Sequence, residues 1–251
     1  MSGYVNFKTD FEPKRFDELV GQDETVAVIR TWFAEHRIPT FLLLSGPVGV
    51  GKSLLAKMIV RSAICSGKKH GELEACGECR SCKFIPSGCY YSVGSRVVPD
   101  AFRDHLISAR HGNQTFLSNE QSEWYAIWID ELHELPKQAM KDMRAELEQK
   151  WTGSIFIGTT SAPEKIDNAL CDRFYPIEVL PPSRTIQNKW ISGVCRKAGI
   201  KIEDTNAPGI ISDVTKGHFR KSLTILQRIY DAGKVMNEDT VLRAVRSCGF
   251  K

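Results

Sequence analysis

An α/β fold built on a parallel sheet is predicted by three features of the sequence. A glycine-rich loop joins a short apolar run to a segment of helical period, two further apolar runs end in polar residues, and strand-like and helix-like segments alternate without an internal repeat. The first run, Phe41-Leu42-Leu43-Leu44, stops at Ser45-Gly46, and Ser53 to Ser62 continues with Leu54, Leu55, Met58 and Ile59 at helical spacing. The second, Trp124-Tyr125-Ala126-Ile127-Trp128-Ile129, ends at Asp130-Glu131, and the third, Ser154-Ile155-Phe156-Ile157-Gly158, ends at Thr159-Thr160. Ligands of open parallel sheets sit at the carboxyl ends of the strands. Three such strands would therefore deliver a loop, an acidic pair and two threonines to one edge.

The rhythm changes after Phe174-Tyr175-Pro176-Ile177-Glu178-Val179, where Pro181-Pro182-Ser183 interrupts regular structure. Helical period follows over Thr185 to Ala198, Ala207 to Thr215, Arg220 to Asp231 and Glu238 to Ser247, with Ser183 placed to cap the first helix. The expected organisation is a sheet domain over 1–180 and a small all-α domain over 181–251 that could act as a lid.

A chain of 251 residues with 42% apolar content can bury a core without disulfides. Its net charge of +4 permits an anionic partner but does not demand one. Lys8, Asp10, Glu12 and Lys14 leave no apolar stretch for a secretory signal, and no later run approaches the roughly 18 apolar residues of a membrane span. A soluble cytoplasmic protein with no membrane association is the expectation. Three of the eight cysteines fall within seven residues, which in that compartment points to metal rather than disulfides.

Gly46-Pro47-Val48-Gly49-Val50-Gly51-Lys52-Ser53 fits the phosphate-loop pattern G-x-x-x-x-G-K-S. Its glycines let successive backbone N–H groups curl around phosphate oxygens while the helix N-terminus adds its dipole. Lys52 is positioned to reach the β and γ phosphates of ATP, and Ser53 to hold Mg2+. Asp130 can hold the same metal, directly or through water, and Glu131 can polarise the attacking water. Cys65, Cys76, Cys79 and Cys82 supply four thiolates at spacings able to close around one tetrahedral Zn2+, with His70 or Cys89 as alternatives to the distant Cys65. Four ligands make a closed, structural site, and this zinc module would occupy about 65–82.

With these motifs in view, the chain closely resembles the clamp-loader family of AAA+ ATPases, and within it the ATPase and lid region of the bacterial DNA polymerase III gamma/tau subunit. The likeness begins at Phe11-Glu12-Pro13-Lys14-Arg15-Phe16-Asp17-Glu18-Leu19-Val20-Gly21-Gln22 and continues through Asp130-Glu131-Leu132-His133 and the cysteines, a module most AAA+ relatives lack. The resemblance implies a P-loop AAA+ sheet domain with an inserted zinc module and a helical lid. It also implies three roles. Thr159 matches the first sensor of the γ-phosphate, and Arg220, in Gly217-His218-Phe219-Arg220, matches the lid's second sensor. Arg173 matches the arginine that reaches a neighbouring subunit's site, although Asp172 and Phe174 replace the serine and cysteine that flank it in the family.

By the same resemblance, ATP binding and hydrolysis would organise other AAA+ subunits, a sliding clamp and primer-template DNA. The family's Asn-rich segment is not recognisable between Pro86 and Glu123, where Tyr90-Tyr91-Ser92-Val93-Gly94-Ser95-Arg96 stands instead. Arg96, Arg103, His105, Arg110 and His111 form a basic stretch there that could track phosphates or simply face solvent. Family subunits continue past the lid into a helical collar, whereas this sequence stops at Lys251, so either it is a piece of a longer chain or it oligomerises differently. A short AAA+ regulator or loader of phage or mobile-element type is therefore one alternative. A non-hydrolysing structural stator is another, and the intact Lys52, Ser53, Glu131 and Arg220 argue against it.

Overall fold

The computed structural model describes residues 5–69, 71–83, 90–92, 99–110 and 125–250. Trp124, His70, Cys89, Arg96 and His111 lie outside that set, as does the side chain of His105. The elements in chain order begin with α1 (Phe7–Asp10), α2 (Asp23–Ala34), β1 (Phe41–Ser45), α3 (Lys52–Ala63), α4 (Arg80–Lys83), β2 (Tyr90–Ser92), α5 (Pro99–Arg110) and β3 (Tyr125–Asp130). They continue with α6 (Lys137–Leu147), β4 (Ser154–Thr160), α7 (Asn168–Cys171), β5 (Tyr175–Glu178), α8 (Arg184–Ala198) and β6 (Lys201–Ile202). The last are α9 (Ala207–Thr215), α10 (Phe219–Asp231), β7 (Val235–Met236) and α11 (Glu238–Ser247). None of the described helices is long and apolar enough to cross a membrane.

The chain forms two compact units, one of Glu24–Gly46 and Lys52–Val179, the other of the residues up to Asp23, Pro47–Gly51 and the chain from Leu180 onward. The first is organised by a parallel five-stranded sheet in the order β2-β3-β4-β1-β5. Central strands of such a sheet are covered on both faces, which explains why they read as continuous apolar runs. All seven residues of β4 are buried, whereas in β5, at the edge, only Ile177 is. Pro176 is tolerated there because an edge strand has a side on which no N–H is required. On one face α6 presents Ala139, Met143 and Leu147, spaced four apart, to a core that includes Ile127, Ile129 and Phe156. Trp151 closes its end, edge-on to Phe41 at 5.3 Å, with its indole N–H donated to the Glu146 carbonyl at 2.9 Å.

In the second unit, Ser183 caps α8 by accepting the Ile186 N–H at 3.3 Å, and Gly199 ends the helix in the left-handed conformation. Ile191, Ile211, Leu226 and Val241, from α8 to α11, share one core. Inside it the Gln187 amide donates to Thr215 Oγ1 at 2.8 Å and Ser222 Oγ at 3.1 Å and accepts from the Gly217 N–H at 3.0 Å. Such a satisfied buried network fixes how α8, α9 and α10 pack. Two details depart from the sequence expectation. The unit is not purely helical, since β6 and β7 form a short parallel ladder. It also takes in the N-terminal segment: Phe7 is fully buried in this core, 5.4 Å from the Tyr230 ring, and its N–H is donated to Gln227 Oε1 at 3.0 Å.

Truncating Phe7 to alanine should therefore cost about 3–5 kcal/mol, the usual effect of emptying a buried aromatic site. Urea denaturation followed by circular dichroism measures it, and a loss below about 1 kcal/mol would show that the segment is not part of this core.

Candidate nucleotide and metal sites

The phosphate loop leaves β1 at Ser45 and enters α3 at Lys52, as the pattern requires. At Gly46 the backbone has φ 145°, and a Cβ there would stand 2.2 Å from the Val179 carbonyl oxygen, so only glycine fits. Lys52 is 4% exposed and donates to the Gly46 carbonyl at 2.8 Å, which satisfies an ammonium group withdrawn from water. The first turn of α3 offers N–H groups and the positive end of the helix dipole at the same place.

Parallel pairing of β3 with β4 sets Ile129 opposite Gly158, so Asp130 and Thr159 emerge side by side at the carboxyl edge. Asp130 Oδ1 accepts from Thr159 Oγ1 at 2.5 Å and from Ser53 Oγ, on α3, at 2.7 Å. Glu131 adopts the left-handed conformation (φ 54°, ψ 57°), which for a residue with a Cβ costs about 1–3 kcal/mol and turns the chain sharply out of β3. Its N–H is donated to Thr159 Oγ1 at 3.2 Å, and its Oε2 accepts from the Ser161 N–H and Oγ, each at 2.9 Å. His133 Nδ1 lies 2.9 Å from Thr160 Oγ1 and 3.4 Å from Glu131 Oε2.

Lys52, Ser53, Asp130, Glu131 and Thr159 are thus gathered at the ends of β1, β3 and β4. Motif reading, joined by the family resemblance for Thr159, identified these residues but gave no signal for Ser161, which follows the threonine pair as an ordinary loop residue. It named His133 as part of a motif without assigning it a contact. The Ser53 hydroxyl and Asp130 carboxylate suit Mg2+. Both are hard oxygen ligands, and their 2.7 Å separation is close to the roughly 3 Å edge of an octahedron with metal–oxygen distances near 2.1 Å.

Cys65, Cys76, Cys79 and Cys82 converge, with all four sulfurs within 4.8 Å of one another. Sulfurs bound at about 2.3 Å around one tetrahedral zinc stand about 3.8 Å apart. Here Cys76 and Cys82 are 3.8 Å apart and Cys65 and Cys79 4.0 Å, too far for disulfides and right for a shared metal. The Cys76 and Cys79 N–H groups are donated to the sulfurs of Cys65 and Cys76, both at 3.3 Å, the outer-shell support that thiolate ligands use. Burial pushes the Cys82 thiol up, as do the neighbouring Cys79 and Cys65, and burial also raises Cys65. Cys79 is opposed by burial too, but the Cys82 N–H and the surrounding donors outweigh it and bring the thiol down to about 6. A Cβ at Gly67 would meet Cys76 Sγ at 2.7 Å, so the wall of this cluster has no room for a side chain. The cluster could hold zinc with Cys65 as the fourth ligand.

Arg173, Arg220 and the basic stretch complete the candidates. Arg173 is bound within its own chain, donating to Glu148 Oε1 at 2.5 Å and to the Ala169 carbonyl. Arg220 is exposed in the first turn of α10. Of the basic stretch, Arg103 is exposed, but Arg110 faces Glu146 of α6 at 3.6 Å with both side chains mostly buried, a pairing between helices and not a solvated contact for phosphates.

A parallel sheet with a phosphate loop and an acidic strand end defines a P-loop nucleotide-binding protein. Residues 42–182 match the model of the ATPase family associated with various cellular activities (AAA), and the chain belongs to that family. It is 27% identical over 242 residues to the DNA polymerase III subunit gamma/tau of Mycobacterium tuberculosis, covering 95% of this chain and 41% of that protein. It is 26% identical to the replication factor C small subunit of Archaeoglobus fulgidus, covering 96% of this chain and 69% of that one. The chain thus spans less than half the length of the gamma/tau relative. Among solved structures, RuvB of Thermotoga maritima superposes with a TM-score of 0.67 at 18% identity, over 94% of this chain and 72% of that one, a likeness of fold.

Zinc in the cysteine cluster predicts about one zinc per folded chain by elemental analysis. Cys79→Ser should release it and lower the midpoint of thermal unfolding, and a chelator should do the same to the unsubstituted protein. A fully folded, metal-free chain would refute the assignment.

Proposed function

We propose that this protein is a clamp-loader-type ATPase. It binds ATP with Mg2+ at Gly46–Ser53, hydrolyses it, and uses the cycle to engage neighbouring AAA+ subunits, a sliding clamp and primer-template DNA. The observation that carries the reading is the joint hold of Ser53 and Thr159 on Asp130, with Glu131 next in the chain. It supplies metal ligands, a polar strand-end group and a second carboxylate beside a phosphate loop. The relatives' names, DNA polymerase III subunit gamma/tau and replication factor C small subunit, support the role in replication.

In this reading the backbone N–H groups of residues 48–53 cradle the phosphates, and Lys52 exchanges the Gly46 carbonyl for phosphate oxygens. Ser53 and Asp130 would hold Mg2+, which would supply neutralisation of phosphate charge. Glu131 accepts a proton from the attacking water, and Thr159, by its hydrogen bond to the Glu131 N–H, keeps that residue beside the metal ligand. Arg220 adds a second cationic contact for the nucleotide. Arg173 leaves Glu148 to neutralise transition-state charge in a neighbouring subunit's site, where such an arginine is worth several orders of magnitude in rate.

Glu131→Gln should keep ATP binding and lower kcat about 100-fold or more, the scale of losing a general base. Steady-state phosphate release, with clamp, primed DNA and partner subunits present, measures it. No turnover by the unsubstituted protein under those conditions would refute the ATPase. Binding to DNA alone, with no clamp affinity in any nucleotide state, would point instead to a regulator or loader acting on nucleic acid.

A further inference from the structure

Glu131 is the base of the proposed reaction, yet its carboxylate is engaged with the chain itself. Oε2 accepts from both the backbone N–H and the hydroxyl of Ser161, each at 2.9 Å, and His133 Nδ1 stands 3.4 Å from the same oxygen. The other oxygen, Oε1, has no hydrogen bond among the described residues. The holding group is itself well anchored. Ser161 follows directly on β4, all of whose seven residues are buried. Thr160, fully buried, accepts the Ala162 N–H at 3.1 Å through the hydroxyl that also meets His133 Nδ1 at 2.9 Å. Residues 160–162 therefore form a rigid polar socket around one edge of the Glu131 carboxylate.

A glutamate side chain has several rotatable bonds, and a base must be held to a small fraction of an ångström to act on a water efficiently. We propose that Ser161 is the positioning residue for Glu131. It grips Oε2 with two donors from a single residue and so leaves Oε1 as the oxygen that takes the water's proton. Ser161 touches neither nucleotide nor water in this arrangement and acts only through Glu131. The inference rests on the assignment of Glu131 as the base.

The test is a double-mutant cycle in ATP turnover, run on the same complex with clamp and DNA. Ser161→Ala removes the hydroxyl donor and keeps the N–H, so kcat should fall about tenfold, in line with one lost hydrogen bond to a charged group. KM for ATP and nucleotide affinity should stay within about twofold, and Ser161→Thr should restore most of the rate. In the Glu131→Gln background, Ser161→Ala should change nothing further, because its target is already gone. An unchanged or faster Ser161→Ala enzyme overturns the inference while leaving Glu131 as the base. So does an undiminished effect in the Glu131→Gln background. Should Ser161→Ala unfold, Ser161→Cys, which keeps the volume, serves as the second variant with the same expected loss. An unsubstituted protein without turnover, or a fully active Glu131→Gln, removes the base assignment and this inference with it.

Discussion

A carboxylate that ends a strand inside a covered sheet must find donors, and Asp130 finds them on two different elements. The Ser53 hydroxyl comes from the first turn of α3 and the Thr159 hydroxyl from the end of β4, and both act on the same oxygen. Charge-assisted bonds of this kind are roughly twice as strong as neutral ones. More important is what they join. β1 feeds α3 through the phosphate loop, β3 ends in Asp130, and β4 ends in Thr159 and Thr160. One carboxylate thereby sets the spacing among three strand ends, and each residue assigned to metal or water is placed from that point.

That placement depends on packing remote from the site. β1 and β4 are buried on both faces, and a one-residue slip of β3 against β4 would turn every inward side chain outward and separate Asp130 from Thr159. Gly158, opposite Ile129, belongs to the same constraint, because a Cβ there would approach Leu132 Cδ2 at 2.9 Å. Leu132 is fully buried just past the left-handed turn at Glu131. Its burial, together with the Ser161 donors on the Glu131 carboxylate, offsets the cost of that turn. The strained residue is the proposed base, which is where a folded chain commonly concentrates local strain.

What could be read from the sequence follows the physics of each feature. β1, β3, β4 and the four C-terminal helices were legible because apolar periodicity records burial directly, and structure and pattern agree there to within two residues, whereas the short β2, β6 and β7 carry too few residues to show a period. The candidate nucleotide residues stood out because the phosphate-loop chemistry admits few substitutes, and the cysteines, which the fold does bring together, because thiolates at those spacings have few other uses. Phe7 gave no signal, since one aromatic in a polar segment carries no period, and its partners Tyr230 and Gln227 lie more than 200 positions away in the chain. Ser161 was silent for a related reason: a serine after a strand is common, and only the fold brings Glu131 to it. Arg110 looked like surface charge because the helix face it occupies is settled by Glu146, a residue on another helix.

Gly49 shows how a motif can leave a residue unexplained that the structure then accounts for. The phosphate-loop pattern specifies glycine at positions 46 and 51 and nothing at 49. In the structure Gly49 has φ 79°, its carbonyl accepts the Phe219 N–H at 3.0 Å, and a Cβ would fall 2.2 Å from the His218 ring. His218 has no freedom to withdraw at low cost, because it is the N-cap of α10 and its Nδ1 accepts the Lys221 N–H at 3.2 Å. Two independent demands, one from the backbone and one from the neighbouring cap, therefore converge on glycine. The middle of the loop is tied to the turn that starts α10, one residue ahead of Arg220. Pro47–Gly51 accordingly belong to the same compact unit as α10, and a change in the His218 cap would bear on the Gly49 backbone that packs against it.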